Sequence, residues 1–285
     1  MPPVPGSVAV VVVTLNEELN IERCLASAAW ADEIIVVDSF STDRTVEIAS
    51  RFTQNIIREE YPGYSLQVEK GMRRAASEWV FILDAAEEIS PALAAAIRAV
   101  VSAAGAADGY LVDRKVRVFG KWIEHSGWSP DWQFRLVRRA AAVAEHQEVH
   151  GAFTCAGPIG KLAGELFHYT YPTIYSYVEK LNDYTSLHVS NKLRDGHGGA
   201  AQRVPLAKLL LSPLSHFLRM FIVNKGYKDG MHGFILAGYS AFYTFLLYAK
   251  MWEYGLRQSD GAGLPPITNA QVTHARRKYA PFAEI

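Results

Sequence analysis

Short apolar runs alternate with amphipathic segments over about the first 85 residues of the chain. Val, Ile and Leu fill these runs almost continuously, which is typical of strands that are buried on both faces of a sheet. The runs predicted as strands are Val8 to Thr14, Glu33 to Val37, Asn55 to Arg58 and Trp79 to Leu83. The segments predicted as helices are 16–28, 41–52 and 64–76. Strands that alternate with helices predict a parallel sheet with right-handed crossovers.

The pattern changes after this region. Residues 91–107 are rich in Ala and predict a helix. Residues 109–119 and 133–137 predict strands of a more mixed, antiparallel part of the sheet. A polar helix rich in Tyr is predicted over residues 171–193. The chain is therefore predicted to be an α/β protein with a helical C-terminal region.

This C-terminal region is both apolar and basic. Apolar residues recur at helical spacing after Pro213, and 233–249 is an uncharged run of about 17 residues. As a helix this run would be roughly 26 Å long, which is short of a hydrocarbon core of about 30 Å. Seven basic residues and one acidic residue lie between positions 192 and 228. We expect interfacial or partly inserted helices on an anionic membrane surface. The alternative is helices packed on the rest of the chain or across a homo-oligomer interface.

Composition narrows the class of protein. The 285 residues are 49% hydrophobic and 20% charged, which excludes wholesale disorder. Cys24 and Cys155 form neither a disulfide framework nor a zinc-type pair, which favours a reducing, cytoplasmic compartment. The N-terminal residues lack the features of a signal peptide. No Walker motif, nucleophile elbow, zinc signature or nucleic-acid module occurs, and the absence of a G-x-G-x-x-G turn disfavours a dinucleotide-dependent oxidoreductase.

Polar residues stand at the carboxyl ends of the predicted strands, where parallel sheets bind their ligands. They are Thr14, Asp38 and Asp84, with Glu87 just beyond the last strand. A nucleotide diphosphate is anionic, so acids close to it need a divalent cation such as Mg²⁺ or Mn²⁺. Acids away from the metal can accept hydrogen bonds from a ribose hydroxyl or a base N–H. Any one of these acids alone is equally consistent with a turn or a helix cap.

Three motifs resemble the opening motifs of family 2 glycosyltransferases with the Rossmann-like GT-A fold: VVVVTLNEE, IIVVDSFSTDRT and WVFILDAAEEI. The later PDWQFRL, the EVH step and the PLAKLL…FYTFLLYAKMWE tail are similar to a bacterial subgroup. That subgroup includes lipopolysaccharide-core glucosyltransferases that act on heptose. The resemblance extends to about Gly255. It implies an inverting enzyme that transfers a sugar from a nucleotide-diphosphate donor, with a UDP-sugar favoured.

The resemblance also assigns the donor pocket. It places Thr14, Asn16 and Glu17 against the nucleotide. Asp38 would accept a hydrogen bond from the base, with uracil favoured. Asp84 would begin the family's Asp-x-Asp motif, whose first acid lies near the ribose and whose last acid binds the metal.

Further roles follow from the same resemblance. Asp131 lies in the segment that resembles the acceptor-side loop and is the candidate general base, which would take the proton of the attacking hydroxyl. Glu87 and His150 are candidate metal ligands beside Asp84, although a lone His is more often structural. Lys70 and Arg135 are candidate contacts of the diphosphate. The alternative for Lys70 is a charge on a solvated helix face, and the alternative for Arg135 is a charge at a sheet edge.

The chain departs from the family pattern at two positions. The Asp-x-Asp motif is Asp-Ala-Ala at 84–86, and the methyl group of Ala86 cannot bind a cation. We interpret Ala86 as a deliberate inactivating substitution; a natural loss of metal dependence and replacement by Glu87 are the alternatives. Gly151 follows EVH where the subgroup leads us to expect Glu, which leaves Asp131 as the candidate base.

The predicted organisation is a GT-A catalytic domain over 1–170, a helical membrane-associating or oligomerising region over 171–255, and a tail over 256–285. The expected acceptor is a cell-envelope glycan or glycolipid such as lipopolysaccharide core. The expected location is the cytoplasmic face of the inner membrane, bound peripherally or monotopically. Two alternatives share the nucleotide site: a polyprenyl-phosphate glycosyltransferase and a non-catalytic nucleotide-sugar-binding protein. The second alternative stays open because Ala86 cannot bind a cation.

Overall fold

The computed structural model of the chain describes residues 3–60, 63–103, 105, 107–144, 153–192 and 204–259. Within them, contacts divide the chain into two compact units. The first unit contains residues 3–116 and 130–170, and the second contains residues 117–129 and 171–259.

The described residues form eleven strands and seven α-helices. The strands are β1 (Val8–Thr14), β2 (Glu33–Asp38), β3 (Ile56–Arg58), β4 (Trp79–Asp84), β5 (Glu87–Ile89), β6 (Gly109–Val118), β7 (Lys121–Trp122), β8 (Trp132–Arg138), β9 (Ala142–Ala144), β10 (Phe153–Cys155) and β11 (Ile159–Tyr171). The helices are α1 (Ile21–Ser27), α2 (Thr45–Ala49), α3 (Tyr64–Arg74), α4 (Pro91–Val101), α5 (Ile174–Lys192), α6 (Leu206–Leu218) and α7 (Met231–Ser259).

Nine of these described strands form one mixed sheet. Its order is β3-β2-β1-β4-β8-β6-β11-β5, with β7 paired to the end of β6. Strands β3, β2, β1 and β4 are parallel to one another. The pairings of β4 with β8, β8 with β6, and β11 with β5 are antiparallel. A parallel half therefore continues into a mixed half.

Helices cover both faces of the parallel half, which explains why its strands are continuously apolar. Every residue of β1 and β4 is buried. On one face, Leu25 of α1 and Ile97 of α4 pack into the core with the sheet. On the other face, Val68 of α3 packs with Val11. A side chain at Gly71 of α3 would collide with Val11, so glycine permits this close approach. The parallel half is thus fixed by a core on each side.

The second unit is mostly helical. Helix α7 packs against both α5 and α6. The Lys250 ammonium group of α7 donates hydrogen bonds of 2.7–3.0 Å to oxygens of Asn182, Thr185 and Ser186 on α5. By length and composition, the two segments Leu206–Val223 and Met231–Gly255 are long and apolar enough to cross a membrane, and only 6% and 17% of them are buried within the protein. Few residues of either segment are therefore fully buried within the protein.

The predicted α/β fold class is confirmed, with a parallel sheet half, a mixed half and a helical C-terminal region. Several helix boundaries were wrong. The helix predicted from Asn16 begins at Ile21, and Leu19 before it is 87% exposed. The helix predicted over 41–52 spans Thr45–Ala49. The helix predicted to reach residue 107 ends at Val101. Strands β5 and β11 were not predicted.

Candidate active site

The carboxyl ends of the parallel strands lie in register. Thr14 of β1 is paired with Asp38 of β2, and Val13 is paired with Asp84 of β4. Asp38 and Asp84 therefore lie at the same edge on either side of β1. Their backbones are separated by two strand spacings, about 10 Å. This is the edge at which parallel sheets bind ligands.

Asp38 is buried and held by hydrogen bonds. The backbone N–H and the hydroxyl of Ser41 both donate to its carboxylate. The Arg58 Nε lies 3.2 Å from Asp38 Oδ2. The Arg58 side chain is 47% exposed and extends over the ring of Phe40, 5.4 Å from its centroid. Arg58 and Ser41 therefore fix the orientation of the Asp38 carboxylate.

The loop that follows β1 is tied to the loop that follows β2. Asn16 has a φ of 54°, a conformation that Asn tolerates better than most residues. Its side-chain oxygen accepts a hydrogen bond of 2.8 Å from the Thr42 N–H. The backbone N–H of Glu17 donates to the Thr45 hydroxyl at 2.7 Å. These bonds explain why the chain is not yet helical here. The Thr14 hydroxyl is buried beside this loop and has no hydrogen-bond partner among the described residues.

A second polar cluster surrounds Asp84. The Tyr64 hydroxyl donates to Asp84 Oδ1 at 2.9 Å. Arg135 Nη2 lies 2.8 Å from Asp84 Oδ2 and 2.8 Å from Glu87 Oε1. Arg135 Nη1 also donates to the Tyr64 hydroxyl at 2.9 Å. The backbone N–H of Asp84 donates to Glu87 Oε2 at 3.1 Å. One connected network of hydrogen bonds at the end of β4 thus contains Tyr64, Asp84, Glu87 and Arg135.

Glu87 is fully buried within this network. Burial raises the pKa of its carboxyl group to about 7; Arg135 opposes the rise and the negative charge of Asp84 adds to it. The Glu87 side chain therefore exchanges a proton near neutral pH. Charge in the cluster depends on pH for this reason.

Asp131 is connected to the same network through Arg114. Arg114 Nε donates to Asp131 Oδ2 at 2.7 Å, and Arg114 Nη1 lies 3.7 Å from Glu87 Oε1. Gln133 Nε2 donates to Asp131 Oδ1 at 2.7 Å. The Asp131 side chain is 26% exposed, whereas that of Glu87 is completely buried. Asp131 is the more accessible of these two carboxylates.

Comparison with known proteins identifies the family. The model of glycosyl transferase family 2 matches residues 9–157, which is just over half of the chain. The chain belongs to this family. The matched residues contain the sheet edge with Asp38 and Asp84 and also Asp131. The protein is therefore a glycosyltransferase.

The relatives of this glycosyltransferase include an enzyme of the bacterial envelope. This chain is 27% identical over 249 residues to the lipopolysaccharide core biosynthesis glycosyltransferase LpsC of Rhizobium meliloti, and the match covers 85% of this chain and 90% of LpsC. This chain is also 27% identical over 263 residues to an uncharacterized glycosyltransferase of Rickettsia typhi, and the match covers 87% of this chain and 88% of that relative.

Similarity to solved structures is weaker. The crystal structure of S. aureus TarS 1–349 covers 88% of this chain and 91% of the TarS chain, at 15% identity and a TM-score of 0.43. The assignment of the GT-A fold therefore rests on the family match and on the order of the strands, and not on this similarity.

The other predicted site residues of the glycosyltransferase lie in different surroundings. Lys70 of α3 forms an ion pair with Glu59, and its side chain is 49% exposed. Arg135 is 2% exposed on β8, between β4 and β6, so the alternative of a sheet-edge charge was wrong. His150 and Gly151 lie outside the described residues.

The described residues of this glycosyltransferase do not fit a divalent metal ion. Ala86 is buried, and its only oxygen, the carbonyl, accepts a hydrogen bond of 3.0 Å from the Tyr169 N–H. Asp84 and Glu87 each accept hydrogen bonds on both carboxylate oxygens. Within the described ranges, no group of three or more His, Cys, Asp or Glu residues is placed to hold a metal ion.

Two members of the network were missed by sequence reasoning. Tyr64 was predicted only as the start of a helix, and nothing in its local sequence marks it as an Asp84 partner. Arg114 lies in β6, where buried and half-buried residues alternate, and Arg114 occupies a buried position. An arginine is rarely buried without a carboxylate partner. This mismatch of residue type and pattern is the signal that could have identified Arg114.

Proposed function

We propose that this glycosyltransferase transfers a sugar, with inversion, from a UDP-sugar to the lipopolysaccharide core or a related envelope glycan. The observation that carries the proposal is the shared sheet edge. Asp38 and Asp84 lie there in register, and loops fixed by hydrogen bonds surround them. The family match supports transfer of a sugar. The similarity to LpsC supports the class of acceptor.

The nucleotide is proposed to bind on the Asp38 side of this edge. The N3–H of uracil is a donor, and a carboxylate is an acceptor, so Asp38 suits this base. Because Asp38 is covered, the base must displace the exposed Arg58 side chain to reach it. The Thr14 hydroxyl and the loop at Asn16 and Glu17 are proposed to contact the nucleotide beside it. Such contacts would satisfy the buried hydroxyl of Thr14.

Asp131 is proposed to act as the general base. It would accept the proton of the acceptor hydroxyl while the oxygen attacks the anomeric carbon from the face opposite the nucleotide. One attack from that face inverts the configuration. Arg114 and Gln133 hold one carboxylate oxygen each, which orients the group for this transfer. Arg114 is a positioning residue because it acts through Asp131.

A thermal-shift screen of nucleotide sugars tests the donor assignment. A ligand that binds the folded state stabilises it by about 2.7 kcal/mol at a concentration of 100 times its Kd. Uridine nucleotides should therefore raise the melting temperature, while ADP-, GDP- and CMP-linked sugars should not. A response to another nucleotide class alone would contradict the proposed donor.

Analysis of the product tests the acceptor. Mass spectrometry should detect one added hexose on purified lipopolysaccharide core after incubation with the donor that the screen identifies. A polyprenyl-phosphate-linked sugar formed instead would contradict the proposed acceptor and support the polyprenyl-phosphate alternative.

The helical unit is proposed to bind the cytoplasmic face of the inner membrane. Exposed apolar residues line the segment Leu206–Val223. They include Leu210, Leu211, Leu214, Leu218, Ile222 and Val223. The exposed basic residues nearby are Lys208, Arg219, Lys225 and Lys228. Each basic residue contributes about 1 kcal/mol near an anionic surface, which adds to shallow burial of the apolar residues. Residues 171–255 would then form the membrane-associating region and residues 1–170 the catalytic domain.

Sedimentation with vesicles tests this location. The protein should sediment with vesicles that contain phosphatidylglycerol and remain in solution with neutral vesicles. Leu214→Glu should weaken binding more than Ser215→Glu, because both positions are exposed and only Leu214 is apolar. Failure to bind either vesicle, together with elution as a dimer in size-exclusion chromatography, would contradict membrane binding and favour a homo-oligomer interface.

A further inference from the structure

A single nitrogen atom bridges the two acidic residues at the end of β4. Arg135 Nη2 lies 2.8 Å from Asp84 Oδ2 and 2.8 Å from Glu87 Oε1. Arg135 is 2% exposed, so the guanidinium group is part of the protein interior. A metal ion that bridged the two acids through these oxygens would have to displace Arg135.

The remaining oxygens of the two acids are also engaged. Asp84 Oδ1 accepts from the Tyr64 hydroxyl, and Glu87 Oε2 accepts from the backbone N–H of Asp84. A second guanidinium group, that of Arg114, lies 3.7 Å from Glu87 Oε1. Two fixed positive charges therefore adjoin these carboxylates, one of them also paired with Asp131, and they weaken the attraction of Asp84 and Glu87 for a divalent cation.

The third position of the motif supplies no charge. Ala86 is 3% exposed and has no side-chain oxygen. Mg²⁺ and Mn²⁺ require oxygen ligands, and carboxylates provide most of their affinity in protein sites. The chain therefore lacks a carboxylate ligand at the third position of the motif.

We propose that this glycosyltransferase binds its nucleotide donor without a divalent cation, because the Arg135 guanidinium group occupies the oxygens through which Asp84 and Glu87 would share one. Two measurements test this proposal. The first uses the metal alone, and only the second depends on the proposed nucleotide donor. On this proposal, Ala86 belongs to a donor site that works without a metal ion, and not to a metal site that one substitution has inactivated.

The first measurement is Mn²⁺ binding by electron paramagnetic resonance, which reports free Mn²⁺ in solution. The unsubstituted chain should leave the free Mn²⁺ signal unchanged. Ala86→Asp should bind Mn²⁺ about tenfold or more tightly than the unsubstituted chain, since it adds a carboxylate beside Asp84. Ala86→Asn is the matched control, because it has nearly the same shape as Ala86→Asp without the charge, and it should behave like the unsubstituted chain. Circular dichroism spectra and melting curves establish that each variant is folded.

The second measurement is isothermal titration of UDP in EDTA and in Mn²⁺. The Kd of the unsubstituted chain should agree within about threefold between the two conditions, whereas Ala86→Asp should bind UDP more tightly in Mn²⁺. Tight Mn²⁺ binding by the unsubstituted chain, or a large gain in its UDP affinity with Mn²⁺, would overturn the proposal. A failure of UDP to bind in either condition would contradict the proposed donor, while the Mn²⁺ measurement would still decide the metal question.

Discussion

Replacing Arg135 with Met should destabilise the protein strongly. The substitution removes the hydrogen bonds that the guanidinium group makes to Asp84, Glu87 and Tyr64, at a position that is 2% exposed. Met has a similar length and keeps the hydrophobic packing, so the loss reports mainly on the charge. Removing one partner of a buried ion pair costs about 3–5 kcal/mol, because the other partner stays buried without compensation. We expect a loss of this size at pH 8.5, from a total stability of about 5–15 kcal/mol.

The loss should shrink at lower pH. Arg135 opposes the rise in the Glu87 pKa, which nevertheless reaches about 7, so the Met variant should have a still higher Glu87 pKa. We expect Glu87 to be mostly protonated at pH 6 in both proteins, so the variant then contains one unpaired carboxylate fewer than at pH 8.5. Each unit by which the two pKa values differ adds about 1.4 kcal/mol to the loss at high pH.

Urea denaturation followed by Trp fluorescence measures this loss at pH 6 and pH 8.5. Arg138→Met is the matched control. Arg138 lies on the same strand and pairs with Glu78 and Asp108, but its side chain is 31% exposed. Its loss should be smaller than that of Arg135→Met, because solvent screens a partly exposed ion pair. A loss for Arg135→Met no larger than that for Arg138→Met would refute the reasoning, as would a loss that does not depend on pH.

Two further predictions concern single carboxylates. The raised pKa of Glu87 means that its folded form binds a proton more readily than its unfolded form, so the free energy of unfolding should fall as the pH rises from about 4.5 to about 7. Glu87→Gln should flatten this part of the stability profile, and an unchanged slope in urea titrations would count against it. Asp131→Asn should lower kcat for transfer by about 100-fold or more while UDP affinity stays constant. Equal turnover by Asp131→Asn, measured by donor consumption with lipopolysaccharide core, would exclude Asp131 as the base.

The parallel half of the fold could be predicted from sequence because its strands are buried on both faces. Continuous apolar runs such as Val8 to Thr14 require burial on both sides, and the intervening helices supply it. The order of strand ends then placed Asp38 and Asp84 at one edge, which the register confirms.

The mixed half was harder to predict because its strands lack such runs. Strand β11 contains Gly160 and Gly164, and buried, half-buried and exposed residues follow one another along it without a clean period of two. Strand β5 has only three residues, two of which are acidic. Hydrophobic pattern identifies neither element, since both depend on pairing with distant strands.

The network at Asp84 could be predicted only in part. Strand ends indicate which acids meet at an edge, but not which side chains cross the sheet to bind them. Arg135 was expected to contact a diphosphate, and the structure shows its guanidinium group bonded to the carboxylates of Asp84 at the end of β4 and Glu87 at the start of β5. Its burial follows from the insertion of β8 between β4 and β6, which sequence period alone does not reveal.

The affinity of UDP for Asp38→Asn tests the proposed donor site most directly. Titration calorimetry should give a Kd about tenfold or more weaker than that of the unsubstituted chain, since the base loses a hydrogen bond to a charged group. Asp32→Asn is the control, because Asp32 accepts a hydrogen bond from the Val8 N–H at the opposite end of β1 and its substitution should leave the Kd unchanged. Equal UDP affinity in folded Asp38→Asn and the unsubstituted chain, or no UDP binding by the unsubstituted chain, would contradict a nucleotide site at this edge of the sheet.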